Sequence, residues 1–315
     1  MAKNKNPKIV VIGGGTGIFN TLRGLKKRRC DITAIVNMAD DGGSTGKLRD
    51  DYGVLPPGDI RQALVALSSS GRVWRDLFTF RFKNGGLEGH NFGNLFLSAL
   101  EQTTGGNFMS AIDCAAEILE IKGRVVPVTL TNTRLKAELE NGQIINGEHH
   151  VEQDQKPSRV KRVFLIPTPK ANPAAIRAIS KADLIVIGPG SLFTSILPNL
   201  VVPGVAAAIK RSRGKKVFVC NIMTQANETP GYTLADFLQI LSGVLGSKPF
   251  NHILVNRQRP SQNRLRQYAE KGAARVELGD LPKRPARLTI TPLMTPRGLI
   301  RHDPKKIADA LWKLI

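Results

Sequence analysis

The chain has 315 residues, of which 41% are hydrophobic and 5% aromatic, with three Cys. A chain of this length and make-up buries a substantial core, which excludes a disordered protein and a disulfide-stapled scaffold. Its 46 Lys and Arg against 25 Asp and Glu leave a formal charge of +21, unevenly placed: net +3 over residues 1–157 and +18 over 158–315.

Cys30, Cys114 and Cys220 stand alone, with no C-x-x-C pair, as in a reducing compartment. The charged N-terminus runs into a short β-branched strand and then glycines, which is unlike a leader peptide, and no apolar run reaches the ~18 residues of a membrane span. A soluble, cytoplasmic, non-transmembrane protein is the expectation.

Strands are expected at Lys8 to Ile12, Ile32 to Val36, Val125 to Leu130, Val163 to Ile166, Leu184 to Ile187, Val217 to Cys220 and His252 to Val255. Helices are expected at Ile18 to Lys27, Asp59 to Ser68, Asn91 to Gln102, Ser110 to Lys122, Pro173 to Lys181, Thr233 to Gly243, Ser261 to Lys271 and Pro304 to Leu314. This alternation, with nearly all-apolar strands, predicts a Rossmann-like α/β fold: a doubly wound, mainly parallel sheet with helices on both faces. One stretch breaks it. Leu135 to Glu152 alternates in short strands around Asn141-Gly142 and Asn146-Gly147, a small β-hairpin inserted near 133–160 of a single 1–315 domain. Pro282 to Pro285 and Pro292 to Gly298 read as loops.

Open parallel sheets bind ligands at the carboxyl ends of their strands, so the loops after the strands are where function is sought. The first is Gly13-Gly14-Gly15-Thr16-Gly17, a glycine turn opening a helix, suited to close approach of a phosphate and to its partial charge. The strict dinucleotide fingerprint is broken, since Ile18 stands where its last Gly belongs and Asn37 where an acid should end the second strand, which disfavours an NAD-dependent oxidoreductase. After the second strand, Asp40-Asp41-Gly42-Gly43-Ser44-Thr45-Gly46-Lys47 resembles a Walker loop but has Asp41 and Leu48 where Gly and Ser or Thr are required. Two carboxylates beside a phosphate repel it unless a divalent cation such as Mg²⁺ lies between, or unless they accept hydrogen bonds from a ribose or base. Asp59 reads as a helix cap, as does Asn91 in His90-Asn91-Phe92-Gly93-Asn94, and no second ligand stands near His90 to make a zinc site.

A second glycine loop, Gly188-Pro189-Gly190-Ser191, follows another buried strand, with Thr194 and Ser195 adding hydroxyls. The nucleophile elbow G-x-S-x-G is absent, so a second phosphate cradle, suited to a diphosphate or sugar nucleotide, is favoured over a catalytic serine. Asn221 to Gln225 ends a further strand with amides and hydroxyls fit to read a base or a sugar. The basic clusters Lys210, Arg211, Arg213, Lys215, Lys216 and Arg257, Arg259, Arg264, Arg266 read first as a solvated face, with an anionic partner, RNA or membrane, as the alternative.

In fixed order, VVIGGGTG at 10–17, ADDGGSTGKLR at 39–49, GVLPPGDIR at 53–61, GHNFGNLFL at 89–97, GPGSLFTSILPNL at 188–200, NIMTQ at 221–225 and RHDPKK at 301–306 resemble the gluconeogenesis-factor (YvcK-like) family, related to the 2-phospho-L-lactate transferase (CofD-like) group. The resemblance covers nearly the whole chain. It implies a UDP-sugar ligand of the UDP-N-acetylglucosamine type, a regulatory role in cell shape during gluconeogenic growth without an assigned reaction, and a protein partner in cell-envelope regulation. It also implies Tyr268 and Arg301 as ligand contacts, chemically apt because Tyr stacks or hydrogen-bonds and Arg forks onto a diphosphate. The ligand site so assembled comprises both glycine loops with Ser195, Asp40, Asp41, Gly42, Gly43, Ser44, Asp59, Asn91, Asn94, Asn221, Thr224, Tyr268 and Arg301, and no catalytic residue. The alternative is a CofD-like transferase using a metal at Asp40 or Asp41 and a nucleoside diphosphate donor. Two positions depart from the family pattern: Ala226-Asn227 replaces Pro-Gly, and Lys47 replaces Arg. Homo-oligomerisation is expected on general grounds.

Overall fold

In a computed structural model, residues 6–156, 158–281 and 286–315 are described, so the Met1–Lys5 terminus, Pro157 and the Pro282 to Pro285 loop lie outside it. The chain runs β1 (Lys8–Gly13), α1 (Gly15–Leu25), β2 (Asp31–Val36), α2 (Gly43–Tyr52), α3 (Gly58–Leu67), α4 (Arg72–Thr79), α5 (Phe92–Thr103), α6 (Phe108–Ile118) and β3 (Arg124–Pro127). A small lobe follows, with β4 (Arg134–Leu139), β5 (Ile144–Asn146), α7 (Glu148–Gln153) and β6 (Val160–Ile166). Then come α8 (Pro173–Ser180), β7 (Leu184–Ile187), a π-helical turn (Leu192–Ile196), α9 (Leu197–Leu200), α10 (Val205–Arg211), β8 (Lys215–Val219), α11 (Leu234–Leu245), β9 (His252–Asn256), α12 (Gln262–Ala269), β10 (Arg287–Thr291) and α13 (Pro304–Trp312).

Seven strands form one parallel sheet in the order β10-β9-β8-β7-β1-β2-β3. The chain builds outward from β1 to β3, then returns to the other side of β1 with β7 and builds outward again. The order therefore reverses between β1 and β7, which pair Ile9 with Leu184 and Ile12 with Ile187. All four residues of β7 are buried, as are Ile9 to Ile12 of β1, because helices cover both faces. Close helix packing is visible at Gly24, where any Cβ would overlap the Pro304 carbonyl of α13. Among the described residues no single helix is long and apolar enough to cross a membrane.

The expected strands lie in the parallel sheet with one exception. Val163 to Ile166 belongs to β6, which pairs antiparallel with β4 in a three-stranded sheet, Arg134 opposite Ile166. Its mixed burial, unlike the continuous burial of β7, marks a strand covered on one face only. The expected hairpin is β4 and β5, but Asn146-Gly147 leads into α7 rather than a further strand. Helices α2, α4, α9 and α10 and strand β10 add to the expected elements: α2 opens on the polar Gly43-Ser44-Thr45-Gly46 segment, and α4 presents most of its surface to solvent.

Candidate functional site

The reversal of strand order opens a crevice at the carboxyl ends of β1 and β7, where doubly wound sheets take their ligands. Both glycine loops arrive there. They approach so closely that a Cβ at Gly17 would overlap the Pro189 carbonyl oxygen. The cleft, about 230 Å³, is walled by Gly14 to Gly17 on one side and by Pro189, Gly190, Ser191 and Ser195 on the other. Asn221, Thr224, Tyr268 and Arg301 complete it, whereas Gly13 and Gly188 lie behind as strand ends, Gly188 N donating to the Ile12 carbonyl (3.0 Å).

The two loops are fixed by different side chains. In the first, the Gly15 amide donates to Asp59 Oδ1 (2.8 Å), and the following amides of the first turn of α1 have no partner within the helix, leaving them to an anion. In the second, Asn221 clasps Gly190, accepting from its N–H (3.1 Å) and donating to its carbonyl (2.8 Å). Two of the three hydroxyls in the second loop are engaged: Gln225 Nε2 donates to Ser191 Oγ (2.7 Å), and Thr194 Oγ1 donates to the buried Glu228 carboxylate (2.6 Å). Ser195 Oγ alone of the three has no protein partner among the described residues. Asn37, where a dinucleotide fold keeps a ribose-binding acid, instead spans the crevice to the Thr194 carbonyl (3.0 Å).

Asp59 corrects an expectation. It makes no capping bond to α3; its side chain points away to hold Gly15, so closely that a Cβ on Gly14 would meet its carboxylate. Burial, with the neighbouring Asp40 charge, raises its pKa to about 7. Glu148 is raised well above its ordinary value by the same two causes, burial and the neighbouring Asp40. Asp40 also accepts from Gly42 N (3.0 Å). Both oxygens of Asp41 are engaged at the start of α7, accepting from Glu148 N (3.2 Å) and His149 N (2.8 Å). Gly42 and Gly43 serve as the entry to α2.

Ser44, Asn91 and Asn94 form a polar knot beside this acidic group rather than lining the cleft. Asn91 N and Asn94 Nδ2 donate to Ser44 Oγ (3.2 and 3.4 Å), and Asn91 caps α5 as expected, accepting from Asn94 N (3.2 Å). Within the cleft, the Thr224 hydroxyl accepts from Ala274 N (2.8 Å) and the Tyr268 hydroxyl from Ile300 N (3.1 Å), so the latter presents its ring rather than its oxygen.

A preformed metal site does not fit these residues. Among the described residues no group of three or more His, Cys, Asp or Glu is arranged to hold an ion by itself, so Asp40 and Asp41 would hold a cation only together with a bound phosphate.

Two residues outside the expected set belong to the site. His302 is buried in the cleft wall; burial lowers its pKa to about 4, and its buried Nε2 has no partner among the described residues. It stands next to Arg301 in the RHDPKK segment, the one sequence signal for it. Arg49 is buried and ties the loop after β2 in place, donating to the carbonyls of Asp40 (2.8 Å) and Thr133 (2.7 Å).

Comparison with known proteins places this architecture. The family model described as 2-phospho-L-lactate transferase CofD matches residues 9–294. A curated protein of Nostoc sp. is 44% identical over 316 residues, covering 98% of this chain and 69% of its own length. The Gluconeogenesis factor of Bacillus subtilis is 41% identical over 316 residues, with 99% of both chains covered. A crystal structure of a UPF0052-family protein from Bacillus halodurans superposes with a TM-score of 0.92 at 40% identity, covering 98% of this chain and all of that one. With the match running from β1 past β10, the chain belongs to the 2-phospho-L-lactate transferase CofD family, in company with the curated gluconeogenesis factors.

Proposed function

We propose that the chain is a nucleotide-sugar-binding regulator of the gluconeogenesis-factor kind, taking a ligand of the UDP-N-acetylglucosamine type in the crevice between β1 and β7. The convergence of two glycine loops carries this reading, since two sets of backbone amides suit the two phosphates of a diphosphate. Arg301 at the rim forks onto the diphosphate, the Tyr268 ring stacks on the base, and Ser195 offers its hydroxyl to the ligand. In this reading the protein acts in the cytoplasm as a homo-oligomer, and a partner in cell-envelope regulation reads its bound state to support cell shape during gluconeogenic growth.

Thermal denaturation of the full chain with UDP-N-acetylglucosamine, UDP-glucose, UDP, NAD and a guanosine diphosphate compound, each with and without Mg²⁺, tests it. A ligand at 100 times its Kd stabilises by about 2.7 kcal/mol. UDP-sugars are expected to stabilise most, and Arg301→Ala to weaken their binding about tenfold. Stabilisation by NAD or the guanosine compound in preference to UDP-sugars refutes the assignment. A second reading, a phospholactyl-type transferase with a nucleoside diphosphate donor, is favoured by the family match. Its test is product formation from donor, Mg²⁺ and a deazaflavin acceptor.

A further inference from the structure

Behind the cleft, and sharing Thr16, Asn20 and Arg301 with it, lies a second cavity of about 490 Å³. Four arginines line it: Arg23 from α1, Arg61 from α3, and Arg297 and Arg301 from the segment between β10 and α13; among the described residues no acidic one does. None of the four has an ion-pair partner within 4 Å among the described residues. Arg23 and Arg61 are held by neutral groups. The Arg23 guanidinium lies 5.6 Å from the Phe19 ring centroid, and Arg61 donates from Nε to Asn94 Oδ1 (2.8 Å) and from Nη1 to the Phe78 carbonyl (3.2 Å), leaving Nη2 without a protein partner among the described residues. Burial lowers Arg61 to about 10, so it stays charged at neutral pH, and the nearest carboxylates, Asp59 and Asp40, act on it only from a distance.

Four guanidinium groups without a carboxylate partner, Arg61 half-buried and the other three exposed, give this cavity a positively charged wall with nothing acidic to offset it, which favours an anion there. A phosphate dianion presents oxygens in several directions and accepts paired donors from each arginine it meets. We propose that this chamber is a second anion site, taking the phosphate of a small phosphate monoester beside the nucleotide-sugar. Its place beside a nucleotide-sugar rests on the function proposed above; the anion site itself does not. The phosphate has two possible sources, a separate small molecule or the diphosphate of the nucleotide reaching backward, and competition separates them.

Titration calorimetry on the full chain at low ionic strength, with inorganic phosphate and glycerol 3-phosphate as probes, tests the proposal in the absence and presence of saturating UDP-N-acetylglucosamine. Both probes are expected to bind under both conditions. Arg23→Gln and Arg297→Gln should each weaken them about tenfold while leaving the nucleotide-sugar within about twofold of its original affinity. The proposal is overturned if neither probe binds, if both variants bind them as the parent does, or if the nucleotide-sugar displaces them completely. Should UDP-N-acetylglucosamine fail to bind while the probes bind in an arginine-dependent way, the chamber stands and the nucleotide reading falls.

Discussion

The two glycine loops face each other across the cleft but are held by opposite chemistries. The loop after β1 is braced by a carboxylate, Asp59 on Gly15, whereas the loop after β7 is braced by a neutral amide, Asn221 on Gly190. Backbone amides that await an anion are thus pre-engaged by a negative group on one side and by an uncharged one on the other. The first loop therefore responds to protonation and the second does not. The tolerance for side chains differs as well: a Cβ at Gly17 overlaps the Pro189 carbonyl, while a Cβ at Gly190 finds ordinary contacts with Ser195, Ile196 and the Gly14 carbonyl.

Gly17→Ala makes the largest expected difference. The overlap is between two backbones, with no flexible side chain to yield, so the variant should lose at least about 3 kcal/mol in urea denaturation. Retention of parental stability would show that the loops do not approach as closely as described.

Asp59→Asn comes next, and it should stabilise. Because the folded pKa of Asp59 is raised to about 7, its contribution is fully present below the unfolded value near 4 and is lost as pH rises through 7. An Asn pays no such cost and still accepts from Gly15. The stability advantage of the variant over the parent should widen by about 2–3 kcal/mol between pH 5 and pH 8. A constant difference would mean that the carboxylate is not desolvated.

Asn221→Ala removes both bonds of the second clasp and should cost about 1–2 kcal/mol with no dependence on pH in that range, a contrast that denaturation at the same two pH values reads directly. Gly190→Ala, the smallest, should change stability by less than about 1 kcal/mol, and a larger loss would erase the asymmetry between the loops.

How much of the fold is legible in the amino-acid sequence follows from how each element is buried. Strands β1 and β7 are close to uninterrupted apolar runs and β2 and β8 end in apolar triplets, so their residues declare their type and point to a sheet covered on both faces. Strand β6 shows how the same logic fails: its β-branched core resembles theirs, and only its half-exposed pattern assigns it to the antiparallel lobe. Helix α2 begins in residues that favour turns, and its formation rests on tertiary contacts such as those of buried Arg49. At the site, the glycine loops are legible because their backbone requirement is local. Asp59 is not, since a carboxylate at the start of a helix looks like its cap, and only the three-dimensional path of α3 turns it towards a loop 44 residues away. His302 is hidden for a similar reason: one histidine carries no pattern until its burial is known.

Asp41, one residue from a carboxylate that faces the acidic group beside the cleft, holds the first two amides of α7 and so joins the loop after β2 to the three-stranded lobe. That pair of bonds is one of several joints between the large sheet and the lobe, beside those of Arg49 to Thr133 and Arg159 to Asp236, and it is the one at the rim of the loop after β2. If the rim shifts on occupancy, these bonds carry the shift to the start of α7, beside the exposed Glu140, Ile144 and His150. Amide exchange over residues 144–153, compared with and without ligand, is where such motion would register.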